Sequence, residues 1–220
     1  MLDVAIALDA KNLDLRQASK ALKASFGTAT VEIRNAAHLH GLCAGLKEGE
    51  YVIAGDAGDY VGVLNDGATI RVEGNAGQYA GDNMTRGTIL IRGSAGYGAG
   101  LYPYGGTIVI GGDAGDFTAT MNKGATIIVG GNIGDEAATY HLAGDLVVVG
   151  NAGLNFGNYI IRGTLYIGGE FASLGHNARV EDLTKEDLQK LRRLFEEFDI
   201  PADAARFRKV VAKSQKLFYE

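Results

Sequence analysis

Four histidines and one cysteine are the nitrogen and sulfur ligands that this sequence offers to a zinc ion. His38, His40 and Cys43 form the pattern His-x-His-x-x-Cys, and in a strand His38 and His40 would share a face. A closed zinc site needs four ligands, and the other histidines, His141 and His176, are far away in the sequence. We therefore interpret the three residues as polar residues at the entry to the repeat region that follows them, rather than as a metal site.

Two serines have neighbours that partly resemble those of a catalytic serine. The nucleophile of α/β-hydrolases stands at the centre of G-x-S-x-G. Ser94 lies in RGSAG at 92–96, where the first glycine is one place off, and Ser173 lies in FASLG at 171–175, which lacks that glycine. His176 follows Ser173 closely, but no pattern supplies an acidic partner. The sequence therefore disfavours an esterase.

Nucleotide binding is disfavoured as well, because the sequence contains no phosphate loop of the form G-x-x-x-x-G-K-[ST]. Gly96, Gly98 and Gly100 alternate as in a glycine-rich loop, but they lie inside an internal repeat and lack a βαβ context. We interpret them as corner glycines.

Seven similar units between residues 49 and 169 must position these side chains. Each unit opens with a glycine, continues with a segment rich in Ile and Val, and ends in Gly-x-Ala-Gly or a variant of it. Units begin 18 to 20 residues apart, which is too short for a βαβ crossover and shorter than helical repeats. The opening glycines are Gly49, Gly67, Gly87, Gly106, Gly124, Gly144 and Gly163.

Two apolar columns, two residues apart, run through the aligned units. Residues two apart in a strand share a face, and polar neighbours such as Arg71 and Arg92 are typical of the opposite face. The columns predict two interior ladders in an all-β-dominated fold, a parallel β-helix of about seven turns. One column is Val52, Ile70, Ile89, Ile108, Ile127, Leu146 and Leu165, and the other is Ala54, Val72, Ile91, Ile110, Val129, Val148 and Ile167.

Small and polar residues recur at the corner that follows each strand. The alanine of Gly-x-Ala-Gly, replaced once by Ile133, predicts a corner with little more room than a methyl group needs. The x position is short and polar, and we expect these side chains to favour turns by bonding their own backbone. The residues at the x position, which we call the polar column, are Asp56, Asn75, Ser94, Asp113, Asn132 and Asn151. The outer positions beyond it are mixed and predict no uniform strip for binding sugars; they are Tyr60, Tyr79, Phe117 beside Gly98, Glu136 and Asn155.

An N-terminal cap of the strand–helix–strand type is predicted for residues 1–48. Its helix begins after Asn12 or Asp14, either of which can serve as the N-cap, and ends at Gly27. Residues 34–48 are either a linker or a degenerate first turn of the β-helix. Such a cap shields the unpaired sheet edge at the end of a solenoid. The predicted strands are 3–8 and 30–33, the predicted helix is about 15–25, and the β-helix then covers 49–178.

A C-terminal helical hairpin is predicted for residues 179–220. Thr184 is a good N-cap, Pro201 ends the first helix, and a second helix is expected at about 203–213, with a solvated basic face. The first helix carries an apolar stripe at helical spacing, which we expect to pack against the side of the coil. The stripe is Leu188, Leu191, Leu194, Phe195 and Phe198.

Charge and cysteine content narrow the classes of partner. The chain has 220 residues and a formal net charge of −5, so a nucleic-acid partner is not expected. Its single cysteine rules out an intrachain disulfide and fits a reducing compartment. The sequence shows neither an apolar run long enough to span a membrane nor a secretory pattern, and we therefore expect a soluble, cytoplasmic protein without a membrane partner.

Two stretches, GNAGQYAGDNMTRGTILIRGSAG at 74–96 and GGDAGDFTATMNKGATIIVGGNIGD at 111–135, resemble the GXGXG domain family. This family comprises the C-terminal domain of the glutamate synthase large subunit and a subunit of formylmethanofuran dehydrogenase. The resemblance covers about 49–178 and implies a right-handed parallel β-helix. The domain here stands with small caps and looks like a stand-alone domain 3 subunit, as in split glutamate synthase or N-methylglutamate synthase.

The resemblance implies a non-catalytic structural subunit of an FMN-dependent glutamine amidotransferase complex that makes glutamate or N-methylglutamate. The expected partners in this hetero-oligomer are a class II glutaminase subunit and an FMN-binding synthase subunit, and FMN and an iron–sulfur cluster are expected in a partner. No catalytic, cofactor-binding or metal-binding residue carries over to this chain. Two alternatives stay open, a scaffold in a formylmethanofuran dehydrogenase or formyltransferase-type complex and a stand-alone esterase. The amine that is used, the partner surfaces and the stoichiometry also stay open.

Overall fold

One sheet of eleven strands runs the length of the molecule. Its first nine strands are parallel, and each lies beside the next strand in the chain. The computed structural model describes residues 4–24 and 30–214. The prediction of a parallel β-solenoid of about seven turns is confirmed. The parallel strands are β1 (Val4–Asp9), β2 (Thr30–Arg34), β3 (Glu50–Ala54), β4 (Asp66–Val72), β5 (Arg86–Ile91), β6 (Thr107–Ile110), β7 (Lys123–Val129), β8 (Ala143–Val148) and β9 (Thr164–Ile167).

The two predicted interior ladders are present from β4 to β9, where each residue pairs with its counterpart on the next turn. The prediction was wrong in the first unit, because Tyr51 and Ile53 are buried there and Val52 and Ala54 face outward. Side chains alternate along a strand, so a slip of one residue exchanges the two faces. Tyr51 pairs with Ile70, which places a large aromatic ring in an otherwise aliphatic ladder.

Each turn also contains a segment in which every second residue has a left-handed backbone conformation. The middle position faces the interior, where a Cβ on Gly62 would lie 2.6 Å from Ile89 Cδ1. Only glycine or alanine therefore fills it in the turns that follow β3, although left-handed alanine costs about 1 kcal/mol or more. These residues are Gly62, Gly81, Gly100, Ala119, Ala138 and Gly157.

The N-terminal strand–helix–strand prediction is confirmed by β1, α1 (Leu15–Ala24) and β2. Asp14 caps the helix, since its Oδ1 accepts the N–H of Gln17 at 2.7 Å. Ala18 and Leu22 of this helix are buried, whereas Leu15 at its first position is exposed. The predicted stop at Gly27 lies outside the described residues. The sheet is continuous across residue 48, because β2 pairs with β3, and Leu39, Leu42 and Leu46 between them are buried in the first turn.

Helix α2 (Lys185–Glu197) lies on the outer face of the last turns, as its apolar stripe predicts. Thr184 caps it through its side chain, which accepts the N–H of Asp187. Leu191, Leu194 and Phe195 pack on an outer apolar cluster of the sheet. The sheet contributes Val109, Ile128, Val147 and Tyr166 to that cluster. Neither α-helix of the described ranges is long and apolar enough to cross a membrane.

The predicted second C-terminal helix is wrong. After a short 3-10 helix at Ala204–Arg206, the chain forms β11 (Arg208–Ala212), which lies antiparallel between β9 and β10 (Ala178–Glu181). Strand β9 would otherwise be the last edge of the sheet, and β-branched valines suit a strand that closes it. Val210 is fully buried at the end of the interior ladder.

The predicted basic face of this segment is also not simply solvated. Lys209 donates to Asp187 at 2.9 Å and lies close to Glu181, and only 11% of its side chain is exposed. Arg208 donates to the carbonyl of Gly169 and pairs with Glu170. These basic side chains therefore fasten β11 to its neighbours.

Candidate functional site

The three metal-ligand residue types at 38–43 point in different directions. His38 Nε2 lies 3.1 Å from the carbonyl oxygen of Leu13, and His40 Nδ1 accepts the N–H of Asp59 at 3.0 Å. Cys43 is buried in the core, and this burial raises the pKa of its thiol to about 12. In residues 4–24 and 30–214 no cluster of three or more His, Cys, Asp or Glu side chains is arranged to hold a metal ion. The two histidines instead tie the segment before α1 and the second turn to the first turn.

The two serines considered as nucleophiles serve as hydrogen-bond acceptors for neighbouring turns. Ser94 Oγ accepts the N–H of Asp113 at 3.1 Å, and Ser173 Oγ accepts the N–H of Asn155 at 2.8 Å. The ring of His176 packs against Tyr159, with their centroids 5.1 Å apart. The structure thus engages both hydroxyls in joining turns.

The polar column bonds the next turn rather than its own backbone, which corrects the turn interpretation. Each side-chain oxygen accepts the backbone N–H of the residue 19 positions later, at 2.6–3.1 Å. A net contribution of about 1 kcal/mol for each bond is typical. The acceptors, in chain order, are Asp56, Asn75, Ser94, Asp113, Asn132 and Asn151.

A second ladder of the same kind runs three residues further along the chain. Asp59, Asp116 and Asp135 accept N–H groups of the following turn at 2.7–2.8 Å. These oxygens occupy the space above the glycines of Gly-x-Ala-Gly: a Cβ on Gly74 would collide with Asp56 Oδ1, and one on Gly77 with Asp59 Oδ1. At these positions the glycine is therefore required by a side chain of the preceding turn, whereas Gly96 and Gly115 are crowded by backbone atoms of that turn.

Four aromatic rings form a continuous stack along one edge of the solenoid, which we call the aromatic edge: Tyr60, Tyr79, Tyr97 and Phe117. Neighbouring ring centroids are 4.8, 5.5 and 5.2 Å apart. The outer column is not uniform, since it continues with Glu136 and Asn155, but Tyr97 fills the gap left at Gly98 and joins the rings on either side. A Cβ on Gly98 would lie 2.8 Å from the ring of Tyr79, so only glycine leaves room for that ring.

The aromatic edge is exposed and lies in an acidic environment. Tyr60 is 40% exposed and Tyr97 is 38% exposed. Of the corner segments that build this side of the solenoid, 55–60, 112–117 and 131–136 contain acidic residues and 74–79 and 93–98 contain none, and none of the five contains lysine or arginine. The acidic residues are Asp56, Asp59, Asp113, Asp116, Asp135 and Glu136.

A buried polar network holds α2 on the sheet. Tyr166 donates its hydroxyl to Asp187 at 2.6 Å, and Lys209 donates to the same carboxylate at 2.9 Å. Burial acts to raise the pKa of Asp187, but the hydrogen bonds from Tyr166, Thr184 and Lys209 outweigh it and hold this pKa well below its usual range. Lys190 adds an ion pair to Asp145 on β8 at 3.0 Å. The helix is thus fixed in position by both charge and apolar contact.

Polar side chains also close an interior corner of the solenoid. Asn65 and Asn122 each bond the backbone of a residue three positions later, Ala68 and Ala125. His141 occupies the corresponding corner one turn after Asn122, with Nε2 3.2 Å from the carbonyl oxygen of Gly144. Burial lowers the pKa of His141 to about 4, so its imidazole is neutral at pH 7.

An open groove of about 730 Å³ lies where α2 ends and leaves the outer sheet face uncovered. Leu90 and Phe198 contribute apolar surface to it. Arg71 lines it as well, and Arg92 and Glu73 form an ion pair there at 2.5 Å. Within the described part of the chain, the groove and the aromatic edge are two surface features that offer both space and side-chain chemistry to another molecule.

A comparison with protein-family models finds no match for this chain, and a comparison with curated proteins also finds none.

Proposed function

We propose that this chain is a non-catalytic structural subunit of a glutamate synthase-like complex. In this complex a glutaminase releases ammonia from glutamine, and an FMN-dependent synthase joins ammonia or methylamine to a 2-oxo acid and reduces the resulting imine. The β-solenoid would hold the two enzymes in register in the cytoplasm. The proposal rests on the resemblance of the repeat at 74–96 and 111–135 to the GXGXG family, and the parallel solenoid agrees with the fold of that family.

The structural role is supported by the hydrogen bonds that the potentially reactive side chains form in the fold. Ser94 and the Asp and Asn residues of both ladders bond the next turn, and His38 and His40 bond backbone groups. Side chains committed to such bonds stiffen a solenoid, because each turn contacts only its neighbours. A stiff rod with free surfaces is suited to fixing the distance between two partners.

The location proposed for the cofactors follows from the ligands that they need. An iron–sulfur cluster takes several cysteine thiolates, and this chain has Cys43 alone, which is buried as a neutral thiol. The cluster is therefore assigned to the synthase partner, and FMN is assigned to the same partner because the family resemblance implies it.

Affinity purification of the natively expressed protein, with mass spectrometry and a visible absorption spectrum, tests this function. We expect a glutaminase and a yellow flavoprotein to co-purify in equal amounts. Co-purification with a molybdenum or tungsten enzyme would select the formylmethanofuran dehydrogenase alternative. A colourless lone protein whose ester hydrolysis is abolished by Ser173→Ala would establish the esterase, and FMN bound to the isolated chain would contradict the assignment of FMN to a partner.

A further inference from the structure

The aromatic edge is built at a conformational cost that smaller residues would avoid. Tyr60, Tyr79 and Phe117 adopt left-handed backbone conformations, with φ between 57° and 59°. This region is unfavourable for bulky side chains, whereas glycine enters it without strain. Gly41 and Gly98 show that glycine is compatible with the same corner, at φ 80° and 66°. The three aromatic residues therefore stand where the fold does not require them.

The surroundings of the rings determine which ligand would suit them. Tyr60 and Tyr79 stack face to face, Tyr97 meets Tyr79 at an angle of 70°, and the exposed carboxylates of Asp56, Asp113 and Asp116 belong to the same corner segments as Tyr60 and Phe117. Arginine matches both features, because its planar guanidinium stacks on aromatic rings and pairs with carboxylates. Lysine would pair with the carboxylates but stack less well. A neutral sugar would use the rings and leave the negative charge uncompensated.

We propose that the aromatic edge is the docking surface for an arginine-bearing segment of a partner protein. A guanidinium group stacks on a ring face of this row that no neighbouring ring covers, and aspartates of the same corner segments neutralise its charge. The identification of this partner as a subunit of the synthase complex rests on the proposed function. The chemistry of the edge does not rest on it and can be tested separately.

The variant that tests the edge should remove the rings without disturbing the fold. In Tyr60→Gly/Tyr79→Gly glycine accepts the left-handed conformation without strain, so the solenoid should stay folded. The matched control is Tyr140→Gly/Tyr159→Gly. Those two tyrosines also have φ 53° and stack at 5.2 Å, and Tyr140 is 39% exposed, but their column lies outside the aromatic edge.

The first measurement is titration of the isolated protein with a short peptide of alternating arginine and glycine. The chain has ten tyrosines and no tryptophan, so tyrosine fluorescence reports the binding directly. We expect the arginine peptide to bind, and its affinity to fall about tenfold in the edge variant and less than twofold in the control. A lysine peptide should bind more weakly, and added salt should weaken both. Equal affinity for all three proteins, or binding of a neutral oligosaccharide in place of the peptide, would overturn the proposal.

The second measurement is co-purification of the complex from cells that express each variant. We expect the edge variant to lose one partner and the control to keep both. If the unaltered protein captures neither the glutaminase nor the flavoprotein, the proposed function fails while the peptide titration still decides the chemistry of the edge. If the edge variant captures both partners as well as the unaltered protein does, the docking proposal fails and the proposed function stands.

Discussion

Ser94 and Gly112 lie on neighbouring turns and share one contact, which makes them a sharp test of the side-chain ladder. Ser94→Ala removes a hydrogen bond of 3.1 Å to the N–H of Asp113 and should cost about 1 kcal/mol of unfolding free energy. In Gly112→Ala the new Cβ would lie 2.5 Å from Ser94 Oγ and 3.1 Å from the backbone of Gly93. The hydroxyl must then leave its acceptor position, and the backbone must shift slightly.

The loss of the hydrogen bond and the tight backbone contact together should cost about 2–3 kcal/mol in Gly112→Ala. The double variant loses the same hydrogen bond only once. Its cost should therefore be about 1 kcal/mol smaller than the sum of the two single costs. The assay is equilibrium unfolding in urea, followed by circular dichroism, for the original protein and the three variants.

Gly111→Ala provides the matched control. Its Cβ would collide with the carbonyl oxygen of Arg92, a contact in which Ser94 takes no part. Combined with Ser94→Ala, this variant should be additive within about 0.5 kcal/mol. Strict additivity of Ser94→Ala with Gly112→Ala would refute the conclusion that the glycine column is required by the ladder oxygens.

Three further predictions concern buried titratable groups. Asp187→Asn weakens the charged hydrogen bonds from Tyr166 and Lys209 and should destabilise the docking of α2 by about 2 kcal/mol, measured by binding of a hydrophobic dye. Because the folded pKa of Asp187 is lowered, its stabilisation is complete above about pH 4 and is lost as the pH falls, and a pH-independent dye signal would contradict this. The pKa of His141 is lowered to about 4, so below pH about 6.5 only the unfolded chain gains its proton, and stability should fall by about 3 kcal/mol on acidification to pH 4. His141→Asn places in this corner the residue type that Asn122 provides one turn earlier. In denaturant titrations at several pH values, this variant should not show the loss of stability on acidification that His141 causes. An unchanged dependence of stability on pH would assign the loss to another group. Cys43 should react with a thiol reagent at a pH of about 8 only after denaturant is added, and rapid labelling of the native protein would contradict its burial.

The short-range sequence pattern was sufficient to predict the solenoid, but the prediction failed where a residue departed from the repeat. Tyr51 belongs to the interior ladder, yet its size and type gave no signal that it takes the place of the isoleucines. The segment of Val210 and Val211 has both helical and strand patterns at short range. It becomes β11 because β9 has an edge to cover, and that edge is formed by residues more than 40 positions earlier.

The repeat length and the alternation of Ile and Val determined the parallel β-solenoid, because turns of nearly equal length must stack in register. The sequence likewise determined the N-cap Thr184, since capping depends on residues three positions apart, and it reduced the first N-cap to Asn12 or Asp14, of which the structure selects Asp14. Only the tertiary structure decided what the polar side chains bond and which rings meet. The acceptor of each ladder bond lies on another turn, and Tyr97 joins the aromatic edge through space that Gly98 leaves beside the ring of Tyr79. Such contacts depend on how one turn sits above the next, a relation that the order of residues within a single turn does not contain.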